Sequence, residues 1–94
     1  MNIETVIWLR DIVDKIERRH RLTVQEVEQV FSNRPRFRFL EIGKVEGENL
    51  YSAMGQTDEG RYVIVYFIHK PRHQALVISA REMENGERGK YGKK

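Results

Sequence analysis

The chain has no cysteine. A disulfide framework, a thiol nucleophile and a cysteine-ligated zinc site are therefore excluded. Proline is nearly absent: Pro35 and Pro71 are the only two, each at a break expected between elements. No apolar run approaches the roughly 18–20 residues of a membrane span. The opening MNIETVIWLRD lacks a basic start followed by an apolar stretch, so a secretory leader is not expected and a cytoplasmic location is. Repeats, low-complexity stretches and linkers are missing, as are a Gly-rich phosphate loop, a nucleophile elbow and an HExxH motif. The three histidines, His20, His69 and His73, show no metal-ligand spacing with carboxylates. No metal is expected.

What the sequence does have is charge. Charged residues make up 33% of it, with 17 Lys and Arg against 14 Asp and Glu, a net charge of +3. Such a mild excess is compatible with a nucleic acid or an acidic protein as partner. Ninety-four residues predict one domain, 1–94, with one modest core.

Hydrophobic spacing divides the chain. Residues 2–8 are rich enough in β-branched side chains for a short strand. In 8–20, Leu9, Ile12, Val13 and Ile16 form one apolar stripe of a helix. A second helix is predicted over 24–33, where Thr23 and Glu26 match a capping box and Arg34-Pro35 forms the stop. After Pro35 the period falls to two. In 36–44, Phe37 and Phe39 share one face and Arg36, Arg38 and Leu40 the other. Further strands are predicted over 49–56, 61–68 and 74–81, joined by short turns and the loop 69–73. The 61–68 segment is nearly all apolar and is expected at the centre of an antiparallel meander. Residues 83–92 suit a marginal last helix, since Gly86 and Gly89 each cost about 1 kcal/mol against Ala there. Lys93-Lys94 fit a helix C-terminus or a frayed tail. The predicted fold class is α+β: two N-terminal helices and a C-terminal helix packed on a four-stranded, mainly antiparallel sheet. With the helices on one face, the other is left open to a ligand. Trp8, Phe31, Phe37, Phe39 and Phe67 are assigned to the core.

Basic residues supply the candidate chemistry. If 61–68 and 74–81 pair across the 69–73 loop, Arg61 lies opposite Arg81 and Ser79 shares its face. Two adjacent guanidiniums suit a phosphate between them. The alternative is a pair of solvated arginines tied to Glu48, Glu82 or Glu87. Lys15, Arg18, Arg19, His20 and Arg21 crowd the end of the first helix. They read as a phosphate-tracking patch or as cations favoured at a helix C-terminus.

The order of segments resembles the BrnT-type toxins of bacterial type II toxin–antitoxin modules, small ribonucleases with a RelE-like fold. The matching stretches run from Trp8 to Tyr91. They are Trp8 with the first helix, Arg19-His20 before the capped helix ending in VEQVF, GENLYSAMGQT at 47–57, GRYVIVYF at 60–67, VISAREM at 77–83 and ERGKY at 87–91. The resemblance implies metal-independent and cofactor-free endoribonuclease activity that arrests growth. It also implies neutralisation by a cognate BrnA-like antitoxin, through which alone the protein would meet promoter DNA. Carried over residue by residue, it gives Arg61, Arg81, Ser79 and Glu48 as catalytic candidates, Lys15, Arg19 and His20 as RNA-binding ones, and Glu87, Arg88 and Tyr91 from the ERGKY stretch; Lys70 is added as an RNA-binding candidate. In that scheme Glu48 or His20 takes the proton of the 2′-hydroxyl. Arg61 and Arg81 stabilise the charge that builds on phosphate. Gln56 and Leu76 stand where the family often carries arginine. They favour the alternative of a catalytically weakened binding module that acts only in complex with the antitoxin, in promoter repression.

Overall fold

The computed structural model describes residues 1–92 and shows a mixed α+β chain; Lys93-Lys94 lie outside the described residues. Strands β1 (Thr5–Ile7), β2 (Arg36–Glu41), β3 (Leu50–Gln56), β4 (Tyr62–Lys70) and β5 (Gln74–Glu82) form one sheet in the order β1-β5-β4-β3-β2. The expected count of four is corrected to five. The N-terminal segment joins the sheet, parallel to β5, with Thr5 against Gln74 and Ile7 against Leu76. The remaining pairs are antiparallel, and apolar β4 lies at the centre as its composition predicts.

Helix α1 (Arg10–His20) starts two residues later than its apolar stripe suggested, after a Leu9 that provides no side-chain cap. It ends on Arg21 in the left-handed region, φ 52°, a conformation that usually calls for glycine. Helix α2 (Val24–Ser32) opens with the expected capping box: the Glu26 amide donates to Thr23 Oγ1, and the Thr23 amide donates to Glu26 Oε1. Both helices cover one face of the sheet. Ile16, Leu22, Val27 and Val30 are fully buried against Ala53, Val63, Val65, Phe67, Val77 and Ala80. Phe31 and Phe37 stack beside Phe67 in the same layer. Packing is tight at Gly55, where a Cβ would come within 3.1 Å of Val30 Cγ1 and 3.2 Å of Pro35 Cβ and these neighbours would have to give way. Phe39 departs from the core expectation. It remains 49% exposed, with its ring in a T-shaped contact with Tyr51 at 5.7 Å.

Helix α3 (Asn85–Gly92) lies over the second face, not the first. It buries no residue and is tied down by arginine contacts rather than by an apolar stripe. The face expected to be open is therefore partly roofed.

Two details of the β4–β5 hairpin decide where side chains point. First, the ladder continues through His69 and Lys70, so the expected five-residue loop shrinks to Pro71-Arg72-His73. Second, Tyr66 pairs with Ser79 but Phe67 pairs with Val77, leaving Ile78 as an extra residue. A one-residue slip turns every later side chain to the other face. The bulge therefore turns Ser79 and Arg81 away from α1 and α2.

Candidate functional site

Arg61 and Arg81 do not meet. Arg81 pairs with Ile64 and Glu82 with Val63, so Arg61 has no arginine opposite it, and the two guanidiniums point to opposite faces. The expected phosphate clamp between them is not formed. The reason is the register: a shorter loop and one bulge replace the simple pairing.

Arg61 belongs to the helical face. Its Nη1 donates to the Arg21 carbonyl at 3.0 Å and to Glu26 Oε2 at 2.8 Å, and its Nη2 donates to Glu82 Oε1. One side chain thus holds the end of α1, the start of α2 and the end of β5. Glu26 is used twice, capping α2 with one oxygen and gripping Arg61 with the other. Burial pushes the Glu26 carboxyl up, but hydrogen bonds from Arg61 and the Thr23 amide outweigh it and hold the pKa below the usual value. The hydrogen bonds to Glu82 and then Glu26 raise that of Arg61.

Arg81 belongs to the other face. It forms a two-pronged pair with Glu87 of α3, Nη1 to Oε1 at 2.7 Å and Nη2 to Oε2 at 2.8 Å. Its Nη2 also donates to the Tyr66 hydroxyl at 3.0 Å. The hydrogen bond from Arg81 lowers the Glu87 pKa against the opposing effect of burial. Glu87 raises that of Arg81 in turn. Of the two sequence readings of these arginines, ties to Glu82 and Glu87 are the one found.

Around Arg81 the strands align polar groups in a cross-strand row. Arg38 pairs with Ser52, Ser52 with Tyr66, and Tyr66 with Ser79, so one row crosses four strands on one face. The next row holds Arg36, Met54, Ile64 and Arg81. A cavity of about 150 Å³ opens over these rows, lined by Arg38, Ser52, Met54, Tyr66, Glu87 and Lys90 among others. Among the described residues Arg38 makes no ion pair or side-chain hydrogen bond, which leaves its guanidinium available. Tyr66, Arg38 and Ser52 were missed in the sequence. The alternation of 36–41 set Arg38 on the right face, but only the register brings it into line with Tyr66 and Ser79.

The other sequence candidates lie elsewhere. Glu48 accepts from Lys70 Nζ at 2.8 Å, so a catalytic candidate and an RNA-binding candidate neutralise each other. At about 3.3 Å per residue, Glu48 stands roughly 20 Å along β3 from Met54 in the Arg81 row. Lys15, Arg19 and His20 lie on α1, which packs on β5 on the helical face. Of the eight catalytic and RNA-binding candidates, Ser79 and Arg81 share the second face, Glu48 pairs with Lys70, Lys15, Arg19 and His20 share α1, and Arg61 stands apart from them all. Among the described residues no group of three or more His, Cys, Asp or Glu could hold a metal ion. No helix there is long and apolar enough to cross a membrane. No family model matches the chain, and no curated protein matches it.

Proposed function

We propose that the protein is the toxin component of a type II toxin–antitoxin module, with a RelE-like fold, which cleaves RNA without a metal and is neutralised by a BrnA-like antitoxin. The observation that carries this reading is the row Arg38–Ser52–Tyr66–Ser79 with Arg81 beside it. Metal-free cleavage attacks phosphorus with the 2′-oxygen and releases the 5′-oxygen. It needs cationic donors for the phosphate and a group that moves protons. Arg81 supplies a flat two-pronged donor of the kind that fits phosphate. Arg38 adds a second cation across the face. Tyr66, hydrogen-bonded to Arg81, is the hydroxyl best situated to exchange a proton with the reacting oxygens. Ser52 and Ser79 offer neutral hydrogen bonds that orient the strand.

In this reading Glu87 takes the position of the phosphate. Its two oxygens engage the Arg81 fork as phosphate oxygens would. Helix α3 carries three glycines and no buried residue, so RNA competes with a weakly held element.

The same contact favours a second reading, the weakened binding module that acts only with its antitoxin. If Glu87 never releases Arg81, the face is occupied permanently. Expression of the chain alone decides between them. The ribonuclease reading expects growth arrest and loss of cellular RNA, both relieved by R81A and both prevented by co-expressed antitoxin. Normal growth with intact RNA supports the binding module, and arrest undiminished in R81A removes Arg81 from the chemistry.

A further inference from the structure

One row beyond Arg81, on the same face, Gln56 pairs with Tyr62. Beside this pair lies an open trough of about 740 Å³ between the sheet and α3, lined by Arg36, Gln56, Tyr62, Arg88 and Tyr91. That volume is in the roughly 300–1,000 Å³ range of small-ligand sites. Its chemistry is specific. The Arg88 guanidinium lies 4.2 Å from the Tyr62 ring centroid, stacked on its face. The Tyr91 ring meets Tyr62 edge-on at 6.0 Å. Among the described residues, no carboxylate lines the trough. Among the described residues, the Arg88 side chain makes no hydrogen bond or ion pair, so its donors remain uncommitted behind the stack. Arg36 donates to the Lys90 and Tyr91 carbonyls and so holds the end of α3 over the trough. A Cβ added to Gly89 would meet nothing within 4 Å, so this wall is open to an incoming group.

Aromatic faces, a stacked guanidinium and a side-chain amide, without a carboxylate, suit one class of ligand: an unpaired nucleobase carrying its phosphate. We propose that Tyr62, Arg88 and Gln56 form a nucleobase-binding subsite for single-stranded RNA, about 7 Å by strand rise from the Arg81 row. This proposal rests on the ribonuclease reading for its RNA but not for its chemistry. The base stacks against the Tyr62–Arg88 pair, and the Gln56 amide and Arg88 donors meet its edge. The subsite gives the otherwise sequence-blind phosphate contacts of the Arg81 face a means of selecting where RNA lies.

Binding to the full chain tests this, read by calorimetry and by the NMR signals of the Tyr62 and Tyr91 rings. The ligands are uridine and adenosine 3′-monophosphates, ribose 5-phosphate, and an RNA hexamer with or without one abasic position. Nucleotides should bind at least ten-fold tighter than ribose 5-phosphate. Y62A should erase that advantage, a loss of roughly 5- to 150-fold for a stacked base, while Y62F retains it. R88Q, at an exposed helical position, should weaken nucleotide binding in a chain that keeps its fold. The abasic hexamer should bind more weakly than the intact one. Equal binding of nucleotide and ribose phosphate overturns the subsite, as does an R88Q chain that binds both as before. Base-dependent binding of mononucleotides with no abasic penalty overturns the RNA assignment in favour of free nucleotides. Base-dependent RNA binding without RNA cleavage supports the subsite and sinks the nuclease, whereas cleavage with base-blind binding does the opposite.

Discussion

The two faces of the sheet use the same chemical pair, an arginine and a glutamate, in different ways. On the helical face Arg61 joins three elements that each have buried side chains around them. On the other face Arg81 joins the sheet to a helix with no buried residue at all. Breaking the first pair exposes unsatisfied helix ends. Breaking the second releases only a short, glycine-rich segment. An ion pair's role is thus set by what its partners are anchored to. The N–O distances to Glu26 and Glu87, 2.8 Å and 2.7–2.8 Å, do not reveal it.

The comparison is broken first at Arg81. R81A should lower RNA cleavage about 10²- to 10³-fold, as loss of a charge-stabilising donor does, with little change in the denaturant midpoint. R61A should do the reverse. It should cost about 2–3 kcal/mol of stability by denaturant unfolding, with cleavage per folded molecule unchanged. Equal loss of stability in the two variants would remove the distinction between the faces.

Smaller effects sharpen it. E87Q should raise RNA affinity about 5- to 10-fold, the equivalent of one ordinary hydrogen bond of about 1 kcal/mol. The double variant G86A/G89A, which stiffens α3 by about 1 kcal/mol per site, should lower affinity instead. Opposite signs from one helix in a fluorescence-anisotropy titration would establish competition; equal signs would end it. Acid should act in the same place. The Glu87 pKa is lowered in the folded chain, so its contribution is complete above the ordinary carboxylate value of about 4.3 and fades as pH falls through the lowered one. The small stability difference between wild type and E87Q should therefore shrink as pH falls below the ordinary carboxylate range in denaturant titrations. The smallest expected change is R21G. Glycine at φ 52° should raise the melting midpoint by the equivalent of about 0.5–1 kcal/mol.

Much of the architecture was legible in the sequence, for reasons that are local. Thr23 and Glu26 cap α2 because their spacing alone permits the reciprocal bonds. Phe37 and Arg38 take opposite faces because the strand period is two. β4 is central because a nearly all-apolar strand needs cover on both sides. The candidate site was less legible. Ser79 and Arg81 owe their face to Ile78, an unpaired residue in an otherwise ordinary strand, and nothing in VISAR marks where pairing skips. Tyr66 looked like one more apolar residue of β4 until its hydroxyl met Arg81. The fifth strand was visible as a strand, but its partner, on the far side of the chain, was not.

That partner choice has a consequence for how the chain matures. β1 can dock only after β5 has been made, so residues 5–7 wait for residues 74–76. The helical pair and the β2–β3–β4 meander can form earlier from near neighbours, while closure depends on a contact of long sequence separation. Arg81 arrives with that closing strand. A chain in which β5 has not yet formed therefore has no assembled Arg81 face.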